Sequence, residues 1–299
     1  MNVILEEGGQ PVNGNLILKC VIRSALAPIP RTLEVTFRYT AELAGKIAEG
    51  AKVWAGRDSA KYHIVKVESP RPAALMQSGE QMAMIRITAL LDACHKVAFR
   101  LARAVVKDKS TFGEVYRACG ADAAIANDFS VRRFACFKGM VPTFHLAQAL
   151  QEEAGLLVYR DEKFSFVRLD DLVKQEPVMA LAGDVGESIA SEFKERHEIP
   201  TFISTDESGA FLRGNEVKDR AVLYSPRTGM RELFNLSKVM VERRTLESML
   251  AQHVMAGDVL KLGEEVMTVT TAVHVFEQDA ENQGQIGTYS KFWLGTVAQ

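Results

Sequence analysis

The strict alternation of apolar and polar residues in several short segments constrains the fold more than any other feature of this chain. In TLEVTFRY, from Thr32 to Tyr39, every second residue from Leu33 onward is apolar and the residues between them are polar or charged. A period of two is the pattern of a strand with one buried face. The alternation recurs from Tyr62 to Glu68 and from Met82 to Leu90. Residues 1–91 are therefore predicted to form an antiparallel sheet or barrel.

A less regular strand is predicted from Asn15 to Arg23, in the sequence NLILKCVIR. Leu16, Leu18 and Cys20 would share one side of this strand, although Val21 and Ile22 break the alternation. The proline-containing stretch SALAPIP that follows is typical of a loop, because proline cannot donate a hydrogen bond to a ladder.

The middle of the chain changes to a mixed pattern. Asp92 to Lys107 is ambiguous between strand and helix, and extended structure is favoured. Thr111 and Glu114 then form a capping box, which predicts a helix that ends at Gly120. The residues expected on its apolar side are Phe112, Val115, Tyr116 and Cys119.

A second helix and a hairpin follow. Thr143 is the predicted N-cap of this helix and Gly155 the predicted residue just beyond its end. Its apolar stripe would comprise Leu146, Ala147, Leu150 and Ala154. The segments LLVYR and KFSFVRL are predicted strands, joined by a turn at Asp161–Lys163.

The alternating pattern returns near Ile199, after a predicted linker from Lys174 to Ser191. A short helix is predicted from Leu246 to His253. Strands are predicted at Ala221–Tyr224, Lys238–Arg243, Asp258–Leu262, Met267–Phe276 and Tyr289–Ala298. The predicted fold class is α+β, mainly β. Two tube-like β-barrel modules, residues 1–91 and 176–299, would flank a small α/β insert at 92–175.

The composition is that of a globular protein, since 47% of the 299 residues are hydrophobic and 25% are charged. A formal net charge of -2 gives no global electrostatic case for binding nucleic acid. No apolar run approaches the roughly 18 residues that span a bilayer, and the first residues lack the pattern of a signal peptide. We therefore expect synthesis and assembly in a cytoplasm, with no membrane partner.

The acidic pairs are poor candidates for catalysis. Glu152 and Glu153 are neighbours on the second predicted helix, so they diverge by about 100° and cannot face one substrate together. They are interpreted as part of a solvated helix face. Asp170 and Asp171 lie at a strand end and are interpreted as turn residues.

Cysteine and histidine spacing predicts neither a nucleophile nor a metal site. Cys94-His95 is the only adjacent pair of these types, and neighbouring residues on a strand point to opposite faces. Cys20, Cys94, Cys119 and Cys136 contain no CxxC and are expected to be reduced and mostly buried. The remaining histidines show no HxxxH or HxH spacing, so no metal ligands and no cofactor are predicted.

Other catalytic and binding motifs are missing from the sequence. Ser24, Ser110 and Ser237 lack a GxSxG context, and there is neither a GxGxxG nor a P-loop motif. Three basic clusters are interpreted as surface or interface residues rather than a nucleic-acid site. They are Arg132-Arg133, Arg100 with Arg103, and Arg243-Arg244.

One long stretch resembles a known family. FACFKGMVPTFHLAQALQEEAGLLVYRDEKFSFVRLDDL, from Phe134 to Leu172, is similar to a segment of contractile-tail hub proteins. These are the baseplate hubs of long-tailed phages and the hub part of type VI secretion valine-glycine-repeat spike proteins. The positions that carry the resemblance are Thr143, Phe144, Leu146, Leu150, Glu152, Glu153, Gly155, Tyr159 and Phe164. The segments TFGEVYRACGAD and SALAPIPRTLEVTFRY also resemble parts of such hubs, whereas Phe144 replaces the usual tryptophan or tyrosine.

The resemblance implies an architectural role. Such hubs are trimers with two barrel domains per subunit, so the pseudo-sixfold ring matches a sixfold tail tube on one side and a threefold spike on the other. The expected function is a trimeric structural baseplate hub without catalytic residues, located in the virion. Expected partners are a tail tube or distal tail protein, a central spike, and the tape measure and wedge proteins; DNA would pass the lumen without specific recognition.

This chain lacks the long repetitive spike, which favours a phage-type hub. The alternatives are a type VI secretion hub and a tail-associated hydrolase with a cysteine or carboxylate site.

Overall fold

The computed structural model describes residues 2–68, 72–77, 80–122, 124–183, 185–189, 199–215, 220–226, 228–278 and 286–298. The first part of the chain is an antiparallel sheet with the strand order β1-β4-β5-β7-β3-β2, and β6 also pairs with β7. Its strands are β1 Val3–Ile4, β2 Ile17–Ala25, β3 Arg31–Arg38, β4 Lys52–Ala55, β5 Ala60–Glu68, β6 Pro72–Gln77 and β7 Glu80–Leu91. A 3-10 turn at Gly14–Leu16 and the short helix α1, Ala41–Lys46, connect them.

Strand β3 shows the predicted alternation. Leu33, Val35 and Phe37 are buried in the core, whereas the residues between them point outward. The prediction was wrong for Tyr39, which is exposed just beyond the end of β3 at Arg38, although its backbone amide still donates to the carbonyl of Ala83. The period-two signal therefore identified the strand and its buried face but not its last residue.

Strand β2 contains a β-bulge that explains its irregular pattern. The register with β3 shifts between Ile17 and Lys19, so one extra residue is accommodated and the side-chain faces exchange. Ile17, Cys20 and Ile22 are buried as a result. The prediction that Leu18 would share the core face with Cys20 was wrong for this reason, whereas Leu16, in the preceding 3-10 turn, packs against the core.

The middle of the chain packs onto this sheet. After a 3-10 turn at His95–Ala98, its elements are β8 Val105–Thr111, α2 Phe112–Ala118, β9 Ala124–Asn127, β10 Ser130–Cys136, α3 Pro142–Glu152, β11 Gly155–Arg160, β12 Lys163–Arg168 and α4 Leu169–Leu172. The expectation of extended structure across 92–107 was wrong at the 3-10 turn, where Val97 donates a backbone hydrogen bond to the carbonyl of Cys94. The predicted helix, helix and hairpin are confirmed, and β8 pairs with β10.

The capping box at the start of α2 is confirmed. The Thr111 hydroxyl accepts a hydrogen bond from the Glu114 backbone, and the Glu114 carboxylate accepts one from the Thr111 backbone. Gly120, just past the helix, has φ of +107°, a left-handed conformation that glycine adopts without strain. Phe112, Val115, Tyr116 and Cys119 are all buried, as predicted.

Helix α3 has different ends from those predicted. Its N-cap is Val141, with Pro142 in the first turn, so Thr143 lies inside the helix and caps nothing. Ala154, with φ of +46°, reverses the chain at the other end, and Gly155 already belongs to β11. Gly155 is required by close packing instead, since a Cβ there would lie 2.3 Å from the Phe129 ring.

Replacing Thr111 with alanine should lower the free energy of unfolding by about 1 kcal/mol, because α2 would lose its N-cap hydrogen bond. Thr143→Ala is the matched control, since Thr143 makes no such bond. Urea unfolding followed by circular dichroism measures both. Equal losses for the two variants would show that the cap contributes nothing.

The last part of the chain forms a second group of strands. Its elements are β13 Met179–Leu181, β14 Glu187–Ser188, β15 Thr201–Thr205, β16 Phe211–Arg213, β17 Val222–Tyr224, α5 Met230–Leu236, β18 Met240–Met249, β19 Val259–Leu262, β20 Glu265–Gln278 and β21 Ile286–Val297. The predicted helix at Leu246–His253 was wrong. This stretch continues β18 as far as Met249, because it pairs with β21 from Leu246–Phe292 to Met249–Tyr289. The predicted linker contains β13 and β14 in its described part, and α5 was not predicted.

The two groups of strands are joined edge to edge. β2 pairs antiparallel with β20, from Lys19–Glu277 to Ala25–Thr271, so both belong to one 13-stranded sheet. One apolar core is shared by the first strands and the middle segment, and a second lies between β18, β19, β20 and β21. A mainly β fold is thus confirmed. The closure of each group into a barrel and the division at 91 and 175 stay predictions. Among the described residues, no helix is both long and apolar enough to cross a bilayer.

Candidate assembly interface

An exposed apolar surface surrounds the start of α3. We define the apolar patch as Phe99, Phe137, Met140 and Phe144; all four side chains are exposed, Phe144 by 71%. Leu101 and Met140 are linked by a backbone hydrogen bond, which brings the loop after the 3-10 turn against the loop before α3. Large apolar groups gathered on a surface are typical of protein interaction sites.

A second exposed apolar surface lies on the small sheet β16-β15-β17. β17 is an edge strand, and Val222, Leu223 and Tyr224 are exposed on both of its faces. Phe211 on the opposite edge strand is 67% exposed. An open, apolar edge strand offers backbone donors and acceptors to another chain, and a single soluble domain normally protects such an edge.

A wide groove of about 940 Å³ separates β10 and α3 from the small sheet. Its walls carry both signs of charge, with Arg132 and Arg133 on β10, Glu152 on α3 and Glu232 on α5. Mixed charge and an apolar floor suit the binding of a protein segment better than a phosphate backbone, which needs a basic surface.

Glu153 was predicted to lie on a solvated helix face, and this is wrong. Its side chain is only 2% exposed and forms ion pairs with Arg168 at 3.2 Å and Arg231 at 2.7 Å. It therefore links the hairpin that follows α3 with helix α5. Glu152 accepts a hydrogen bond from Gln148 and has a pKa raised by burial. The two carboxylates therefore have different partners.

The other acidic, serine and arginine residues considered in the sequence have structural contacts or lie exposed on the surface. Asp170 and Asp171 form part of α4 rather than a strand end, and Asp170 pairs with Lys238 at 2.8 Å. The Ser24, Ser110 and Ser237 hydroxyls each hydrogen bond to main chain or to a carboxylate. Arg100, Arg103, Arg132 and Arg133 are exposed, as expected of surface residues. Arg244 pairs with Glu265 at 3.2 Å.

Cys94 is unsuited to nucleophilic chemistry. It is fully buried, and burial raises the pKa of its thiol to about 12, so the reactive thiolate is scarce at neutral pH. Cys20, Cys119 and Cys136 are also free and buried, as predicted. His95, next in sequence, belongs instead to a separate polar cluster.

This polar cluster consists of Lys52, His63, Asp92 and His95. Asp92 Oδ1 lies 3.6 Å from His63 Nδ1 and 3.6 Å from His95 Nδ1. The Lys52 ammonium contacts Asp92 and lies 2.9 Å from His63 Nδ1. The two imidazole rings stack with centroids 3.9 Å apart. The pKa of His63 is lowered, first by burial and then by His95 and Lys52.

The spacing rules applied to the sequence could not find this cluster. Lys52 and His63 are directly opposite each other in the β4–β5 register, a relation that only strand pairing creates. The one local signal is the Asp92-x-x-His95 spacing, which alone is common. Within the described residues, His63, Asp92 and His95 are the group whose ligand atoms lie close enough together to hold a metal ion.

Comparison with known proteins identifies the fold. No protein-family profile and no curated protein sequence matches the chain. A tail protein from Neisseria meningitidis matches with a TM-score of 0.66 at 9% identity, over 99% of this chain and 95% of its own. The 43 kDa tail protein of prophage MuSo2 from Shewanella oneidensis matches with a TM-score of 0.61 at 13% identity, over 98% and 96%.

Type VI secretion proteins match as well. An E. coli type VI component, described as similar to the T4 bacteriophage tail proteins gp27 and gp5, gives a TM-score of 0.51 at 8% identity, over 95% of this chain and 74% of its own. The chain thus has the fold shared by phage tail proteins and type VI secretion components, as the sequence resemblance predicted.

Proposed function

We propose that this chain is the structural hub of a phage tail baseplate. In this proposal it forms a homotrimer whose two β modules per subunit, residues 1–91 and 176–299, give a pseudo-sixfold ring. The ring joins the sixfold tail tube or distal tail protein to a threefold central spike, and it also contacts tape measure and wedge proteins. Assembly occurs in the bacterial host cytoplasm, the mature location is the virion, and the tail is contractile.

The similarity to phage tail proteins along nearly the whole chain carries this proposal. The surface supports it in a second way. The apolar patch and the β17 edge are both exposed in the single chain, and subunit contacts would bury them. The low net charge of -2 suits a lumen through which DNA slides without binding.

Catalysis is not part of the proposed role. The hydrolase alternative required a polar group of side chains around Cys94, His95 or Glu152, and of these His95 has one, with Asp92 and His63. Cys94 is instead packed in the core, and Glu152 lies on a helix with Gln148 as its partner. The cluster around His95 contains no nucleophilic serine or cysteine among its described members.

The type VI hub remains the second candidate, because a Francisella complex named PdpA-VgrG also shares the fold, with a TM-score of 0.52. Only 49% of that chain is covered, so about half of it lies outside the common fold. A phage tail gene cluster around the coding gene would favour the phage hub.

The proposal predicts a trimer that depends on the apolar patch. Native mass spectrometry of the purified chain should show a species near three times 33.0 kDa, with a central hole in negative-stain averages. Phe144→Asp should convert it to monomer, because a carboxylate in a desolvated interface is costly. Lys174→Asp, at an exposed site outside both surfaces, is the control and should leave the trimer intact.

Circular dichroism must show that Phe144→Asp is folded. A wild-type chain that stays monomeric when mixed with its tail tube and spike proteins would count against the hub. If Phe144→Asp leaves the trimer unchanged, the subunit interface lies elsewhere and does not include the apolar patch.

A further inference from the structure

We propose that His63, Asp92 and His95 form a binding site for a transition-metal ion of the Zn²⁺ class, which displaces the Lys52 ammonium when it binds. The site lies in the first β module and does not depend on the proposed role in a tail. Its donors are two imidazole nitrogens and one carboxylate oxygen, a set typical of zinc sites that leaves a fourth position open.

The distances between donor atoms support a shared ion. The Nδ1 atoms of both imidazoles lie 3.6 Å from the same carboxylate oxygen, Oδ1 of Asp92. Each of the three residues offers one ligand atom that lies within 4.8 Å of the other two. Ligands bound tetrahedrally at about 2.0–2.1 Å are separated by roughly 3.3–3.4 Å, so small movements would suffice for the two histidine–aspartate pairs.

The fold holds the three residues in place. His63 lies on β5 and pairs with Leu90 of β7, and Asp92 follows directly after the end of β7. The backbone amide of Asp92 donates to the carbonyl of Lys61, which ties the chain back to β5. His95 begins the 3-10 turn that follows. A site built on paired strands needs little ordering when an ion binds.

Lys52 marks the place where a cation is favoured. Its ammonium donates to Asp92 and to Nδ1 of His63, so this imidazole already acts as an acceptor. A metal ion would replace that ammonium and use the same electron pairs. The side chains of His63 and Asp92 are each 21% exposed and that of Lys52 is 34% exposed, so an ion can enter and the lysine can leave toward solvent.

Binding also has two structural costs. His95 Nδ1 lies 2.7 Å from the Asp92 backbone carbonyl and must give up that hydrogen bond. The rings are nearly parallel, at 8°, so at least one must rotate for both in-plane lone pairs to reach the ion. These costs and the competition from the Lys52 ammonium set the affinity for the metal ion. Removal of Lys52 is the most informative change, because it abolishes the competing cation and leaves all three ligands in place.

Imidazole ligands select the class of ion. They suit Zn²⁺, Cu²⁺ and Ni²⁺, whereas Mg²⁺ and Ca²⁺ prefer oxygen ligands. No cysteine belongs to this donor group; Cys94, the neighbour of His95, is buried and its thiol donates to the carbonyl of Leu91.

The test is isothermal titration of the full chain with ZnCl₂, with MgCl₂ as the comparison ion. We expect one Zn²⁺ per chain, no response to Mg²⁺, and at least tenfold weaker binding in His63→Gln and in His95→Gln. Lys52→Met should bind Zn²⁺ at least tenfold more tightly than the wild type. His145→Gln, a histidine of the groove, is the control and should bind like the wild type.

Co²⁺ absorption provides a readout that needs no variant. Intense visible bands of a four-coordinate nitrogen and oxygen site, without a thiolate charge-transfer band, would support the proposal. It is overturned if Lys52→Met binds no Zn²⁺, if binding survives the double variant of His63 and His95, or if Co²⁺ reports thiolate ligands.

Discussion

Phe166→Ala should lower the free energy of unfolding by about 3–5 kcal/mol, the cost typical of deleting a large buried ring. Phe166 is 1% exposed and contacts three aromatic rings, with centroid distances of 4.7 Å to Phe112, 5.5 Å to Tyr116 and 6.5 Å to Phe129. Its removal would leave a cavity between the hairpin and α2, because these rings come from elements that cannot collapse independently.

Phe144→Ala is the matched control, since it also removes a phenylalanine ring from the stretch between Phe134 and Leu172. Phe144 is 71% exposed, so its loss should change the stability of the monomer by less than about 0.5 kcal/mol. Urea unfolding at a protein concentration where the chain is monomeric compares the two. A similar loss in both variants would mean that the aromatic cluster is not the core of the middle segment.

Acidification should destabilise the second β module through His274. This histidine is buried, with Nδ1 2.8 Å from the Ser290 hydroxyl, and burial lowers its pKa to about 4, with the charge of Arg31 acting in the same direction. The unfolded state has the ordinary value near 6.5 and therefore binds the proton more readily. The contribution to stability is complete above pH 6.5, falls as the pH drops toward 4, and amounts to about 3 kcal/mol at most.

His274→Asn provides the comparison, since its amide can still reach the Ser290 hydroxyl but cannot gain a charge in this range. The difference in unfolding free energy between pH 8 and pH 4.5 should be smaller in the variant, because the titration of every other group is common to both proteins. Parallel curves for the two proteins would show that His274 does not control the pH dependence.

The hub proposal and the metal proposal are independent of each other. Loss of Zn²⁺ binding in His63→Gln with an intact trimer would separate the first module's ion site from assembly. Loss of the trimer in Phe144→Asp with Zn²⁺ binding retained would separate them in the other direction. Both variants are needed, since Zn²⁺ binding alone or trimer formation alone is compatible with several folds and functions.

Local patterns were sufficient for much of the fold. The alternation in β3, the capping box of Thr111 and Glu114, and the hairpin of β11 and β12 depend on neighbours in sequence, so their signals are complete within a few residues. Even so, local chemistry misplaced the ends of α3, because Gly155 is needed for contact with Phe129 and Thr143 has no backbone group to cap.

Tertiary structure decided what depends on distant partners. Pairing with β21 made a strand of Leu246–Met249 where periodicity favoured a helix, and a bulge at Ile17 exchanged the faces of β2. Glu153 became a buried ion-pair partner because α5 supplies Arg231 from 78 positions away. The cluster of Lys52, His63 and Asp92 exists only because β4, β5 and β7 lie side by side, and strand register is not encoded in the spacing of residues along one strand.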